Sequence, residues 1–188
     1  MKTKWIFIAV ALTALLSVTP AAVQAKDWTK VPLVEVQKAA EQGNAEAQLN
    51  LGFLYSFGEG VSRDNKQAVH WFTKAAEQGD ADAQFTLGFM YSEGKGVPWD
   101  NKQAMYWYRK AAEQGYASAQ FDLGNMYYTG KGVPQDYKQA YAWFAVAAAN
   151  GYKKAIEYRD DTANILSPDD LISAQKLATQ YFEKYQPK

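Results

Sequence analysis

Apolar residues recur along most of the chain at the three- and four-residue spacing of amphipathic helices, and no segment alternates convincingly as a strand does. In the segment AQLNLGFLYSF, a helical wheel places Ala47, Leu54 and Tyr55 within about 60° of Leu51. A second helical stretch, rich in alanine and aromatic residues, follows after a short turn. The pattern predicts a hairpin of two helices, here called helix A and helix B, that share one core.

Cap residues mark where both predicted helices begin and end. Helix A begins near Asn44, which is a favourable N-cap residue, and runs to about Phe57. Helix B begins at Asp64, and Gln67 three residues later completes the pattern of a capping box. Gly79 follows helix B, where a left-handed C-cap is required, because glycine adopts positive φ without steric cost.

The two-helix pattern recurs in three units of 36 residues, 47–82, 83–118 and 119–154, and a half unit occupies 31–43. Each unit carries Gly-x-Gly between its helices, as at Gly58. A phosphate-binding loop would place such glycines at a helix N-terminus, with a further glycine or a lysine and a hydroxyl residue after them. Here the glycines follow helix A, so we interpret them as turns.

The repeated motif A-x-x-x-L-G-x-x-Y-x-x-G-x-G-V-x-x-D-x-x-x-A-x-x-W-[FY]-x-x-A-A-x-x-G resembles the Sel-one-like repeat, a subclass of the tetratricopeptide superfamily. All three units carry the motif, and the third departs only slightly, with Asn150 in place of glutamine. The resemblance implies a right-handed α-solenoid whose A helices line a concave surface. It also implies an adaptor for other proteins, often in bacterial envelopes. We therefore expect an all-α, right-handed α-solenoid of helix-turn-helix repeats.

The C-terminal segment, 155–188, is predicted to cap the solenoid. Ser167 at the N-cap, Pro168 at the first helical position and two acids in the first turn predict a helix that runs to about Tyr185. Its aromatic end, Tyr181, Phe182 and Tyr185, could instead contact another copy of the chain. A self-associating structural subunit is therefore one alternative for the function.

Residues 1–25 have the pattern of a signal peptide. Two lysines precede an apolar run from Trp5 to Val18, which is shorter than the ~20 residues that span a bilayer, and small residues lead up to Ala25. We expect cleavage after Ala25, which leaves a repeat domain over 26–188 with no stable membrane insertion. The expected location is the periplasm, with secretion as the alternative.

Composition narrows the possible functions further. The chain has 20 basic and 20 acidic side chains, and loss of the two N-terminal lysines leaves a net charge near −2. This balance argues against a nucleic-acid partner, which favours a basic patch. The chain contains no cysteine, which excludes thiol catalysis, zinc-thiolate sites and disulfide bonds.

The face of helix A opposite the core stripe carries apolar residues where a surface helix is normally polar. Leu49 and Phe53 fall about 160° from Leu51, and the equivalent positions of the next two units continue the row. An apolar row on a concave face is typical of an interaction surface, although neighbouring A helices could also bury these rings against each other. The predicted partner-binding residues are Leu49, Phe53, Phe85, Phe89, Ser92, Phe121, Asn125 and Tyr128.

This composition suits a protein partner, or an extended or helical peptide, with no cofactor. The partner's apolar side chains would be buried against the phenylalanine rings, while Asn125 and Tyr128 supply hydrogen bonds.

Two further repeated features are assigned to packing. The Trp71-Phe72 pair shares a helical side with the alanines of helix B and is predicted to lie in the core. Gly52 lies inside helix A, where glycine costs about 1 kcal/mol relative to alanine. Its recurrence in every unit predicts a helix contact too close for a Cβ atom.

No catalytic constellation emerges from the sequence. Ser173 and Lys176 match the S-x-x-K motif of penicillin-binding proteins and β-lactamases, but the S-D-N and K-T-G companions are missing. His70 is the only histidine, and helical phase places it on the outer face of helix B. We therefore predict no enzymatic activity, no catalytic residue and no metal site. A cell-wall or β-lactam-related enzyme is the second alternative for the function.

Overall fold

The computed structural model describes residues 27–185, apart from the side chain of Thr29. The predicted signal peptide lies outside the described residues. Within 27–185 the chain forms a short 3-10 turn and nine α-helices, with no strand. In the same range, no helix combines the length and the apolar character needed to cross a membrane. The helices are α1 Leu33–Glu41, α2 Ala45–Phe57, α3 Asn65–Glu77, α4 Ala81–Glu93, α5 Asn101–Ala112, α6 Ala117–Thr129, α7 Tyr137–Ala149, α8 Ala155–Ile165 and α9 Pro168–Lys184.

The helices form a linear stack. Along the run from α1 to α8, each helix packs against its neighbours in that run. The A helices of the three units are α2, α4 and α6, and their B helices are α3, α5 and α7. Helix α8 takes the place of a fourth helix A, while α9 turns back and packs against α7.

Caps fix the helix boundaries close to where the sequence predicted them. The Asn44 side chain accepts a hydrogen bond from the Ala47 amide at 2.8 Å. Asp64 accepts from the Gln67 amide at 3.1 Å, and its own amide donates to the carbonyl of Tyr55 at 2.9 Å. The predicted capping box is therefore wrong in its second half, because the backbone of helix A takes the Asp64 amide that the glutamine side chain would have occupied.

The glycines inside the A helices make room for an aromatic ring, as predicted. A Cβ atom on Gly88 would lie 2.7 Å from Cδ1 of Tyr108 on the paired helix B. Gly52 stands in the same relation to Phe72, at 2.6 Å. The same contact recurs between Gly124 and Phe144. Each ring thus packs directly on the backbone of helix A, and this contact joins the two helices of every unit.

A buried amide ladder, which the sequence did not reveal, links successive helices. The side-chain nitrogen of Gln84 on α4 donates to the carbonyl of Ala76 on α3 at 3.0 Å. Its side-chain oxygen accepts from Gln114, just beyond α5, at 2.8 Å. Asn150 makes the equivalent bond in the third unit, so its departure from the repeat motif preserves the contact. The other two rungs are Gln48 with Ala40 and Gln78, and Gln120 with Ala112 and Asn150.

The C-terminal helix covers the last repeat. Ser167 accepts a hydrogen bond from the Asp170 amide at 3.2 Å, as expected of an N-cap. The rings of Tyr181 and Tyr185 pack on Trp143 of α7, with centroids 4.6 Å and 5.4 Å away. These contacts bury the apolar side of α7, so α9 acts as the predicted cap.

Candidate partner-binding clefts between the A helices

Two open clefts lie between successive A helices. The first cleft, between α2 and α4, has a volume of about 310 Å³, and the second cleft, between α4 and α6, about 210 Å³. The first cleft is lined by Phe53, Ser56, Phe57, Arg63, Asn65, Thr86, Phe89, Met90 and Lys95. The second cleft is lined by Ser92, Glu93, Trp99, Asn101, Tyr108, Asp122, Asn125, Met126 and Lys131.

The two clefts are the same feature of the repeat. All the lining residues of the first cleft except Phe53 have their counterpart, one repeat further on, in the lining of the second. Ser56 corresponds to Ser92, for example, and Met90 corresponds to Met126. The backbone therefore builds one kind of cleft twice, and the side chains at its variable positions give each cleft its own chemistry.

Four of the predicted partner-binding residues line these clefts. Phe53 and Phe89 belong to the first cleft, and Ser92 and Asn125 belong to the second. Phe89 is the most accessible of the predicted phenylalanines, with 41% of its surface exposed. The structure thus brings together half of the predicted set, two residues in each cleft.

The prediction that Phe121 lies on an exposed face is wrong. Only 5% of its surface is accessible, because Tyr152 stacks on its ring at 4.7 Å and Tyr158 packs edge-on at 5.0 Å. Both tyrosines belong to the chain that follows helix B, which covers this end of helix A. Phe121 is therefore part of the core and offers no surface to a partner.

Leu49 and Phe85, which hold the equivalent position in the first two units, are also engaged in packing. Phe85 is half-buried against Tyr116 at 5.0 Å and Tyr108 at 5.7 Å, and Leu49 is half-buried against the core cluster formed by α3 and α4. Tyr128 is half-buried against Tyr137. For these positions, packing against the rest of the solenoid describes the structure better than an open row does.

The first cleft is apolar with a basic rim. The rings of Phe53 and Phe57 stack with centroids 6.1 Å apart, and Met90 forms a buried part of the wall. The ammonium group of Lys95 lies 4.4 Å from the centre of the Phe89 ring, within the range of a cation–π contact. Such a cleft can remove an apolar side chain of a partner from water.

The second cleft is polar and carries a half-buried carboxylate, Asp122. The hydroxyl of Ser92 donates to the carbonyl of Phe89 at 2.9 Å and lies 3.4 Å from the hydroxyl of Tyr108. Burial raises the pKa of Tyr108 well above its usual range. Burial also raises the pKa of Asp122 to about 6, from an ordinary value of 3.8. Within residues 27–185 the Asp122 carboxylate has no hydrogen bond or ion pair, so it can accept a donor from a ligand.

Sequence reasoning missed the acids of the second cleft, because it followed the positions that the units share. Asp122 stands where the second unit has Thr86, and Glu93 stands where the first unit has Phe57. Both acids stand at positions where the aligned units differ, and a comparison of those positions could have identified them. Binding surfaces of repeat proteins vary from unit to unit, while their packing positions repeat.

The residues considered for catalysis lie elsewhere. The Ser173 hydroxyl donates to the backbone carbonyl of Asp169 at 3.0 Å rather than to a base. His70 is exposed and packs edge-on against Trp71 at 5.1 Å. In the part of the chain that the structure describes, no three acidic or histidine side chains gather closely enough to hold a metal ion.

Comparison with known proteins identifies the repeat. The family model described as Sel1 repeat matches residues 37–44, 45–80, 81–116 and 117–152. The three full-length matches start two residues before the units read from the sequence and have the same period of 36 residues. No relative of the chain is found among curated proteins.

Solved structures give the same result. The chain is 40% identical to c5321, a protective antigen present in uropathogenic Escherichia coli strains displaying an SLR fold, over 81% of this chain and 40% of c5321, with a TM-score of 0.56. A Sel1 repeat protein from Oxalobacter formigenes is 37% identical over 69% of this chain and 97% of its own, with a TM-score of 0.64. Helicobacter pylori cysteine rich protein B is 30% identical over 65% of this chain and 93% of its own, with a TM-score of 0.52. The chain thus spans only two fifths of c5321. These likenesses confirm the predicted all-α solenoid of helical repeats.

Proposed function

The chain belongs to the Sel1 repeat family, and on that premise we propose that it is an exported scaffold that binds a peptide or protein partner in the clefts between its A helices. Membership of the family indicates a protein-interaction scaffold. The observation that carries the finer proposal is the repetition of an open cleft at the same place in successive units. The resemblance noted in the sequence implies that this surface is concave.

The first cleft supplies the apolar anchor. An apolar side chain of the partner would lie against the rings of Phe53 and Phe89, beside the Lys95 ammonium group. Aromatic residues at the centre of an interface often carry about 2 kcal/mol or more of the binding free energy. Ser92 and Asn125, in the neighbouring cleft, offer hydrogen bonds that orient the bound segment.

Photo-cross-linking from the cleft tests this proposal directly. A benzophenone amino acid at position 89 is expected to capture a partner protein, with the cross-link mapped to one segment of that partner. The matched control places the same probe at Tyr106, an aromatic residue on α5 that is 51% exposed and lines neither cleft. Capture from both positions, or from neither, would contradict binding in the clefts.

The export part of the proposal rests on residues 1–25. Protein recovered from the cell envelope is expected to begin at Lys26, which N-terminal sequencing would show. A chain that retains Met1 and stays in the cytosolic fraction would contradict export and would leave the cleft proposal to be judged by the cross-linking result.

A further inference from the structure

We propose that the second cleft is a subsite for a basic side chain, lysine or arginine, of the same partner segment whose apolar side chain lies in the first cleft. This inference rests on the proposed function and adds the class of residue that the partner must present. It follows from the contrast in charge between two clefts that share one backbone geometry.

The charge of the lining reverses from one cleft to the next. The first cleft carries Arg63 and Lys95 and no carboxylate among its lining residues, a formal charge of +2. The second cleft carries Glu93 and Asp122 with a single Lys131, a formal charge of −1. A cation is therefore attracted to the second cleft and repelled from the first, which fixes the direction in which a segment with one basic residue can lie.

Asp122 gives this attraction a definite target. Most of its carboxylate is shielded from water, although it lines the wall of an open cleft. A carboxylate that is withdrawn from water without a partner is costly, and the cost is offset when a cation donates to it. Because the shielded wall weakens competition from water, such a charge-assisted hydrogen bond is stronger here than on an open surface.

The remaining walls suit the same ligand. Trp99 is 66% exposed at the rim, and an indole face is a favoured contact for an ammonium or guanidinium group. The amide of Asn125 can accept a second hydrogen bond from the same head group. At about 210 Å³ the cleft is smaller than the ~300–1,000 Å³ of sites that enclose a whole small molecule, so it matches one side chain.

Selection from a display library of random dodecapeptides tests the inference. Wild-type protein is expected to enrich peptides that combine an apolar residue with a lysine or arginine at a fixed distance from it. Asp122→Asn is expected to enrich the apolar residue alone. The control, Asp161→Asn, removes the same charge from an exposed position on α8 and should keep the basic preference.

Fluorescence anisotropy with one selected peptide then gives the magnitude. The Kd for Asp122→Asn should rise about tenfold, as expected for loss of one charge-assisted hydrogen bond. Replacing the basic residue of the peptide by norleucine should weaken binding to wild type by a similar factor and have little further effect on the variant.

Failure of this inference and failure of the proposed function give different experimental results. Enrichment of apolar peptides with no basic preference, or a preference that Asp122→Asn retains, would overturn the inference and leave the proposed function standing. If wild-type protein enriches no peptide, both the inference and peptide binding in the clefts are wrong.

Discussion

Replacing Asp122 by asparagine should stabilise the folded protein at neutral pH. The folded-state pKa of Asp122 is about 6, against 3.8 for an ordinary aspartate, because burial disfavours the charged form. Each pKa unit corresponds to about 1.36 kcal/mol, so the ionised carboxylate lowers the free energy of unfolding by about 3 kcal/mol at pH 7.5. Asparagine has nearly the same shape and carries no charge, and the substitution therefore removes this penalty.

The stability penalty from the charged Asp122 changes with pH in a definite direction. Between about pH 4 and pH 6 the folded state binds the Asp122 proton and the unfolded state does not, so stability falls as the pH rises through that window. The penalty is absent below about pH 4 and complete above about pH 6.5. The gap in stability between the variant and wild type should shrink from about 3 kcal/mol at pH 7.5 to about half of that at pH 5.

Urea denaturation followed by far-UV circular dichroism measures this gap. Wild type, Asp122→Asn and the exposed control Asp161→Asn would be compared at both pH values. The control should stay within about 0.5 kcal/mol of wild type. An Asp122→Asn protein that is no more stable than wild type at pH 7.5, or a gap that widens at pH 5, would refute the claim that this carboxylate is held in the cleft at a cost to stability.

Three further outcomes follow from the structure. Gly88→Ala should lower the free energy of unfolding by about 1–2 kcal/mol in urea titrations, because the new methyl group meets the Tyr108 ring and over-packing outweighs the gain in helix propensity. Gln84→Leu should lower it by about 1–3 kcal/mol, because the buried Ala76 carbonyl and the Gln114 amide each lose their hydrogen bond to Gln84. Binding of a basic peptide, measured by fluorescence anisotropy, should weaken as the pH falls through about 6, because protonation of Asp122 removes the charge that attracts it.

Each of these three predictions has an outcome that would contradict it or a control variant. A Gly88→Ala protein as stable as wild type or more stable would contradict over-packing, since without the ring contact the helix propensity of alanine alone should stabilise it by about 1 kcal/mol. Full stability of Gln84→Leu would show that the amide ladder contributes nothing. Glu93 and Lys131 line the same cleft as Asp122. Their effect on the pH profile is therefore subtracted by repeating the titration with Asp122→Asn, whose affinity should not change near pH 6.

Local signals in the sequence were sufficient for the helices and their boundaries. Asn44 and Asp64 predicted two helix starts correctly because an N-cap bond reaches only two or three residues along the chain. Gly52, Gly88 and Gly124 predicted a close contact because their cost to the helix requires compensation nearby. In both cases the determining interaction is local. The glycine contact and the aspartate cap of helix B recur in all three units, whereas the side-chain cap of helix A is missing from the third.

Contacts made outside a single two-helix hairpin were harder to predict. A helical wheel put Phe121 on the outer side of its own helix but could not show that Tyr152 and Tyr158 fold over it. The glutamines of the amide ladder look like surface residues until the helix that accepts their hydrogen bond is known. Asp122 was missed for a related reason, since its burial depends on the neighbouring A helix. For each of these residues, contacts with other helices determine whether the side chain is buried.

Binding of a partner segment in the clefts is tested by the affinity of the cross-linked segment for wild type, Phe89→Ser and Tyr106→Ser. Both substitutions remove an exposed aromatic side chain from the second unit, but only Phe89 lines one of the two clefts between the A helices. If the partner is bound in the clefts, the Kd should be about thirtyfold higher for Phe89→Ser, which corresponds to about 2 kcal/mol, and unchanged for Tyr106→Ser. Equal affinities for wild type and a folded Phe89→Ser protein would contradict binding in the clefts between the A helices.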